Sequence, residues 1–315
     1  MFRFHPVTHM TDASPPVHVP VLLGPVLTAA QGARRVVDAT LGDGGHAEGL
    51  RRSGAELLGI DRDPVAIAVS RRRLGEQGVQ YLQAPYASPD ALQAVAAFRP
   101  DFILLDLGVS SRQLDEAGRG FTFRPGAPLD MRMASAGPTA AAFLNDADEA
   151  ELARVFHDYG DERQARRLAR EVVRRRARQP FTVSDDLVNA VRAVLGSRSG
   201  PGDFARLFQA LRIAVNEELS GLETALPVFR DALRPGGRLA VITYHSGEDR
   251  VVKHAFREWA RACICPPRQP VCTCRGRPLG RLAPRKPLVP DEEEIAANPR
   301  ARSAHLRIFQ ADDAA

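Results

Sequence analysis

Residues 36–50 read VVDATLGDGGHAEGL: a short β-favouring run closed by Asp38, a glycine-rich turn, and then a helix start. Glycines let backbone approach a bound cofactor closely. The spacing Gly42-x-Gly44-x-x-Ala47 fits the dinucleotide fingerprint. Such a match is weak by itself, so the surrounding chain has to decide what the turn holds.

Outward from this turn, short β-like runs alternate with helical stretches. The strand candidates are Val36 to Thr40, Glu56 to Asp61, Val79 to Gln83, Asp101 to Leu107 and Arg238 to His245. A helix over Pro64 to Leu74 is opened by Asp63 as N-cap, with proline at the first helical position. Repeated βα units of this length predict an α/β, doubly wound, Rossmann-like sheet. The alternation stops after Asp106 and resumes near Asp203. Between them lie a Gly/Pro/Arg segment and helical text from Thr139 to Arg178 and Ser184 to Leu195, then a single long helix over FARLFQALRIAVNEELSGLE. A block without strands between two sheet strands reads as an inserted helical domain. Ligands of α/β sheets sit at the carboxyl ends of the strands, so an insertion leaving there would overhang the site. The expected division is a flexible tail over 1–17, a first part of the catalytic domain over 18–128, a helical substrate-recognition domain over 129–203, and a second part over 204–315 with a cysteine loop at 263–274.

The cofactor follows from the acids. Asp38-x-Thr40-x-Gly42-x-Gly44 also aligns with the acid-x-Gly-x-Gly-x-Gly loop of S-adenosylmethionine-dependent methyltransferases, with threonine for the first glycine. Asp61 ends the next strand, where a carboxylate can accept from two ribose hydroxyls under either reading. Asp106 ends a third apolar strand, FILLD, and a dehydrogenase has no routine need of it. ALRPGGRLAVITYH, residues 232–245, supplies the helix, turn and strand common downstream in S-adenosylmethionine enzymes. Together these favour a class I methyltransferase sheet.

The net charge is +5, compatible with a polyanionic partner. From Glu162 to Arg178 the chain carries eight arginines, with Ala165, Leu168, Ala169 and Val172 as an apolar stripe at helical spacing. Such a helix is either a solvated face or a phosphate-contacting one. No run is apolar over the roughly 18 residues a membrane helix needs, and the first residues lack a secretory signal, so a soluble cytoplasmic protein is expected. Cys263-x-Cys265 and Cys272-x-Cys274 sit in one proline-rich loop. Clustered thiols of a cytoplasmic protein suggest a structural zinc site, with free thiols or a disulfide as alternatives.

HVPVLL at His18, DATLGDGGH at Asp38, GIDRDPVAIAVS at Gly59, DLGVSSRQLD at Asp106, RGFTFRPGAPLDMRM at Arg119, FQALRIAVNEEL at Phe208, TYHSGEDRVVKHAF at Thr243 and NPRARSAHLR at Asn298 follow one another in this chain. In these motifs it resembles the MraW or RsmH type of ribosomal RNA methyltransferase, from His18 to about Phe309. The resemblance implies methyl transfer from S-adenosylmethionine to N4 of a cytidine in 16S rRNA, at the decoding centre of the small ribosomal subunit, with a homodimer left open. It implies cofactor contacts by Gly44, Gly45, His46, Asp61, Asp106 and Gln113. Tyr86, in Ala84-Pro85-Tyr86, takes the place of the family's usual asparagine-phenylalanine pair. For the chemistry, Asp106 is expected to accept from the N4 amine or order the cofactor, with Ser110 and His245 as secondary contacts. Arg119, Arg124, Arg132, Arg167 and Arg174 are candidates for RNA phosphates. The rivals are an assembly factor without activity, a nicotinamide-dependent oxidoreductase and a DNA cytosine-N4 enzyme; the last is disfavoured by the absence of an Asn/Asp-Pro-Pro-aromatic tetrad.

Overall fold

The computed structural model describes residues 20–266 and 268–313. The tail expected over 1–17 lies outside them. The strands are β1 (Arg35–Asp38), β2 (Glu56–Asp61), β3 (Val79–Gln83), β4 (Phe102–Asp106), β5 (Arg238–Thr243), β6 (Gly280–Leu282) and β7 (His305–Ala311). They form one sheet in the order β3-β2-β1-β4-β5-β7-β6. The first five in that order are parallel, and β7 runs antiparallel to both β5 and β6. The doubly wound order turns at β1 and β4, where a ligand crevice is expected. The antiparallel β7 and the three-residue β6 are additions to the five expected strands.

The helices are α1 (Leu23–Ala29), α2 (Gly45–Arg51), α3 (Pro64–Leu74), α4 (Pro89–Phe98), α5 (Ser111–Asp115), α6 (Ala140–Asp146) and α7 (Glu149–Asp158). They continue with α8 (Ala165–Arg176), α9 (Ser184–Leu195), α10 (Pro201–Val215), α11 (Glu218–Ala232), α12 (Ser246–Trp259) and α13 (Glu292–Ala297). The two-residue period of the strands divides their side chains between two cores. Val37, Leu58, Ile60, Ile103, Leu105, Leu239 and Val241 face α4, α11 and α12. Val36, Leu57, Phe102, Leu104, Ala240 and Ile242 face α1 and α2. Asp63 caps α3 as expected, its Oδ1 accepting from Val65 N at 2.9 Å.

The inserted block has its own core, running from Leu129 to Leu211 and packing Phe121 and Phe123 against it. The stripe Ala165, Leu168, Ala169 and Val172 is buried there. This core overruns both expected boundaries. Phe123 packs edge-on against Phe204 and Phe208, each at 6.0 Å between ring centroids, so α10 belongs to the insertion rather than to the sheet. The long helix expected from Phe204 onward is two helices, because Glu217 adopts a left-handed conformation with φ 53° between α10 and α11. Asn216 fixes that break. Its Nδ2 donates to the carbonyls of Met131 (2.7 Å) and Arg212 (2.9 Å), and its Oδ1 accepts from Met133 N at 2.9 Å. Among the described residues no helix is long and apolar enough to cross a membrane.

Candidate functional site

A cavity of about 480 Å³ opens at the carboxyl ends of β1, β2 and β4. The sheet contributes Asp61 and Asp106 to its wall, the loop after β1 contributes Thr40 and Gly42, and Met133 and Asn216 close it from the insertion. The loop is drawn onto the sheet edge by four hydrogen bonds. Ala39 N donates to Leu104 O and Leu41 N to Ile60 O, both at 2.9 Å. Gly42 N donates to Asp61 Oδ2 at 2.8 Å, and Asp106 N donates to Thr40 Oγ1 at 2.6 Å.

Asp61 is held at both oxygens, since Oδ1 accepts from Asp63 N at 2.8 Å. Burial pushes its carboxyl up, against the pull of those two backbone donors. Each oxygen keeps a second lone pair for a hydroxyl of a ligand in the cavity. Tyr86 also lines the cavity, and its hydroxyl donates to Glu218 O at 3.4 Å. Burial keeps this phenol protonated, with the Glu218 carboxylate adding to the shift.

Asp106 stands between two partners. Its Oδ1 accepts from the Tyr244 hydroxyl at 2.9 Å, and its Oδ2 lies 3.6 Å from His46 Nδ1. Burial raises the Asp106 pKa, while His46 and the Tyr244 hydroxyl pull it down. Because His46 Nε2 lies 2.9 Å from the carbonyl of Val21, that nitrogen carries the proton, and Nδ1 faces Asp106. Behind the wall Asp38 is fully buried, and desolvation raises its pKa to about 8.

The other expected residues divide. Ser110 and Gln113 both line the cavity and hold each other through a capping box at the start of α5. Gln113 also donates to Asp63 Oδ2 at 3.3 Å. Gly44, Gly45 and His46 follow the lining residue Gly42 into the start of α2 and are not themselves among the lining residues. Gly44 has φ 78°, and a Cβ there would come within 3.0 Å of Ser70 Oγ; one on Gly45 would come within 2.6 Å of Pro20 Cγ. A side chain at either glycine would crowd these neighbours, and His46 stands beside Asp106. His245 is also outside the lining. It caps α12 and lies 3.2 Å from Glu248 Oε1, while Glu248, which does line the cavity, accepts from Tyr244 N at 2.9 Å. Burial would raise Glu248, but His245 and Arg212 bring it below the usual carboxylate value.

The arginines also separate. Arg119 is committed to Asp63 (3.3 Å) and to the carbonyls of Arg132 and Met133. Arg132 pairs with Asp130 through two hydrogen bonds at 2.8 Å, and Arg174 with Glu171 at 2.8 and 2.7 Å. Internal acids thus satisfy these three. Arg124 and Arg167 are exposed and have no carboxylate partner among the described residues. The four cysteines are together at the far end of α12 from the cavity.

Sequence reasoning passed over Tyr244, Glu248, Arg62, Asn216 and Thr40 as site residues. Thr40 and Tyr244 were visible only as departures from motifs. Asn216 and Arg62 gain their places through tertiary contact, Arg62 Nη1 donating to Asn216 O at 3.1 Å.

Against known proteins, a family model described as the MraW methylase family matches residues 16–312. A protein of Gemmatimonas aurantiaca named Ribosomal RNA small subunit methyltransferase H is 57% identical over 298 residues, covering 93% of this chain and 95% of that one. Proteins of the same name from Heliobacterium modesticaldum and Rubrobacter xylanophilus are 48% and 46% identical, covering 92% of this chain in each case and 97% and 95% of their own length.

Proposed function

The chain belongs to the MraW methylase family, and from that premise we propose that it transfers a methyl group from S-adenosylmethionine to N4 of a cytidine in small-subunit ribosomal RNA, at the decoding centre. The observation that carries the reading is the cavity between Asp61 and Asp106, overhung by Met133 and Asn216 of the insertion. Its volume of about 480 Å³ lies within the usual range for ligand pockets. The donor set fits the cofactor: a carboxylate anchored for two ribose hydroxyls, an aromatic wall at Tyr86 for the adenine, and acidic groups on the side where a sulfonium would lie. A dinucleotide has no comparable use for Asp106.

When bound, S-adenosylmethionine supplies a methyl group on a positively charged sulfur, open to displacement by an amine. Cytosine N4 is a weak nucleophile because its lone pair is shared with the ring, so the protein's work is positioning and electrostatics. Asp106 accepts an N4 hydrogen and turns the nitrogen toward the methyl. As the nitrogen gained the methyl carbon, the carbon–sulfur bond would break with its electron pair staying on a neutral thioether sulfur, and the Asp106 carboxylate would take the proton the nitrogen loses. The Tyr244 hydroxyl and His46 oppose the rise that burial imposes on the Asp106 pKa, and the net rise makes this carboxylate a better proton acceptor. The base must leave its stack to reach the cavity, at a cost of roughly a few kcal/mol, and phosphate contacts by exposed arginines such as Arg124 and Arg167 offset it. We assign the reaction to the cytoplasm, on the small subunit, because the substrate proposed for it is ribosomal RNA.

Calorimetric titration separates binding from chemistry. Wild type should bind S-adenosylmethionine and not a nicotinamide dinucleotide, and Asp61→Asn should weaken binding about tenfold or more, the worth of a charge-assisted hydrogen bond. Asp106→Asn should keep cofactor binding and lose turnover. Near-normal turnover of Asp106→Asn would remove Asp106 from the chemistry.

A further inference from the structure

We propose that Cys263, Cys265, Cys272 and Cys274 form a structural zinc site that folds the loop between α12 and β6. Four of the distances between their sulfurs are 3.8 Å (Cys263–Cys272), 3.9 Å (Cys265–Cys272), 3.5 Å (Cys272–Cys274) and 3.8 Å (Cys274–Cys263). All four sulfurs lie within 4.8 Å of one another. Thiolates at the usual zinc distance of about 2.3 Å occupy a tetrahedron whose edge is about 3.8 Å. The observed spacing therefore leaves room for one ion at the centre of the cluster.

The spacing disfavours disulfides, which need sulfurs about 2.0 Å apart and would divide the four into two close pairs. Here Cys272 is nearly equidistant from its three neighbours. One sulfur also has an amide donor, Ile264 N pointing at Cys274 Sγ from 3.3 Å. Hydrogen bonds of this kind orient metal ligands and tune their charge. An all-sulfur tetrahedral set selects zinc or iron among common metals.

The loop has need of such a staple. It presents Ile264 and Val271 to solvent, 40% and 70% exposed, and among its described residues only Leu279, next to β6, packs against a buried core. Apart from the sulfurs its main tether is Arg275, whose guanidinium donates to the carbonyls of Glu258, Trp259 and Arg261 at the end of α12. A connection of this length without an apolar core is held by other means or is mobile. The metal is remote from the chemistry, since α12 begins beside the cavity and its 14 residues carry the chain about 21 Å away before the loop begins. A second cluster, Glu218, His245 and Glu248, is a weaker candidate, because Arg212 already pairs with Glu218 at 2.9 and 2.8 Å.

The test uses the full chain purified under reducing conditions without added metal. Elemental analysis should find about one zinc per chain, and the four thiols should react with a thiol reagent only after a strong chelator is added. Competition against a chromophoric zinc chelator should show Cys265→Ser and Cys272→Ser weakening zinc binding by more than the roughly 10- to 100-fold that loss of an outer-shell partner costs. Cobalt in place of zinc should give the intense visible bands of a tetrahedral thiolate complex. Trp259, the single tryptophan, has its carbonyl within 3.4 Å of Arg275 and should change emission when zinc is stripped. Binding of S-adenosylmethionine should stay within twofold, which keeps this test separate from that of the methyl transfer. Four free, immediately reactive thiols without metal would overturn the proposal, as would two disulfides, iron in the site, or undiminished zinc in the serine variants.

Discussion

Replacing Asn216 by alanine should loosen the insertion from the sheet domain. The side chain is 7% exposed and makes three hydrogen bonds, to the carbonyls of Met131 and Arg212 and from the amide of Met133, with Arg62 Nη1 at 3.5 Å as a fourth neighbour. Alanine leaves the Met133 N–H and the Met131 carbonyl without these partners. A buried polar group left unsatisfied costs about 1–3 kcal/mol, so the loss from these two should be about 2–6 kcal/mol if water reaches neither group. Against a typical stability of about 5–15 kcal/mol this is large. Guanidinium unfolding followed by circular dichroism measures it, with hydrogen exchange at residues 131–133 reporting the local opening. Asn216→Asp should be at least as damaging, since a carboxylate cannot donate to the Met131 carbonyl. A midpoint equivalent to less than about 0.5 kcal/mol of destabilisation, with unchanged exchange, would refute the idea that this residue fixes the break between α10 and α11.

Asp38 gives a pH dependence with a definite sign. Its folded pKa of about 8 lies above the ordinary 3.8, so its contribution to stability is complete below pH 3.8 and is lost as pH rises to about 8. Asp38→Asn should flatten the stability profile across that window, and an unchanged slope would contradict the assignment. In the insertion, Leu168→Ala should cost about 2–5 kcal/mol, because the side chain is fully buried; thermal unfolding would show it. For RNA, Arg124→Glu and Arg167→Glu should each weaken binding to the small subunit and lower the salt slope by about one ion, measured by filter binding over a salt series. Arg174→Gln should leave that slope unchanged, since Glu171 already holds the guanidinium.

The five parallel strands were legible as short β-favouring runs, and in β1, β2 and β4 a closing aspartate also marks the exit at the ligand edge. Strand β7 was not, although its motif was recognised, because HLRIFQ carries no local sign of running antiparallel beside β5. The break at Asn216 and Glu217 was hidden for a related reason. IAVNEELSGL keeps helical periodicity across the junction, and only contacts with Met131 and Met133 turn the chain. At the site, acids at strand ends could be placed from the sequence, whereas the Asp106–Tyr244 pair joins residues 138 positions apart. Of the glycines, Gly42 lines the cavity, while Gly44 and Gly45 lie close against Ser70 and Pro20, contacts that the sequence does not announce. Arginine number was visible but not arginine commitment, as Arg132 shows by pairing with Asp130 two positions away.

The most direct measurement is to incubate the protein with methyl-labelled S-adenosylmethionine and small ribosomal subunits from cells that lack it, then digest the RNA and identify the labelled nucleoside. Label is expected in one N4-methylated cytidine of the decoding centre, abolished by Asp106→Asn. Label at a carbon or ring nitrogen, in another nucleoside, or nowhere in the RNA would contradict the reading of this cavity as a cytosine-N4 methyltransferase site.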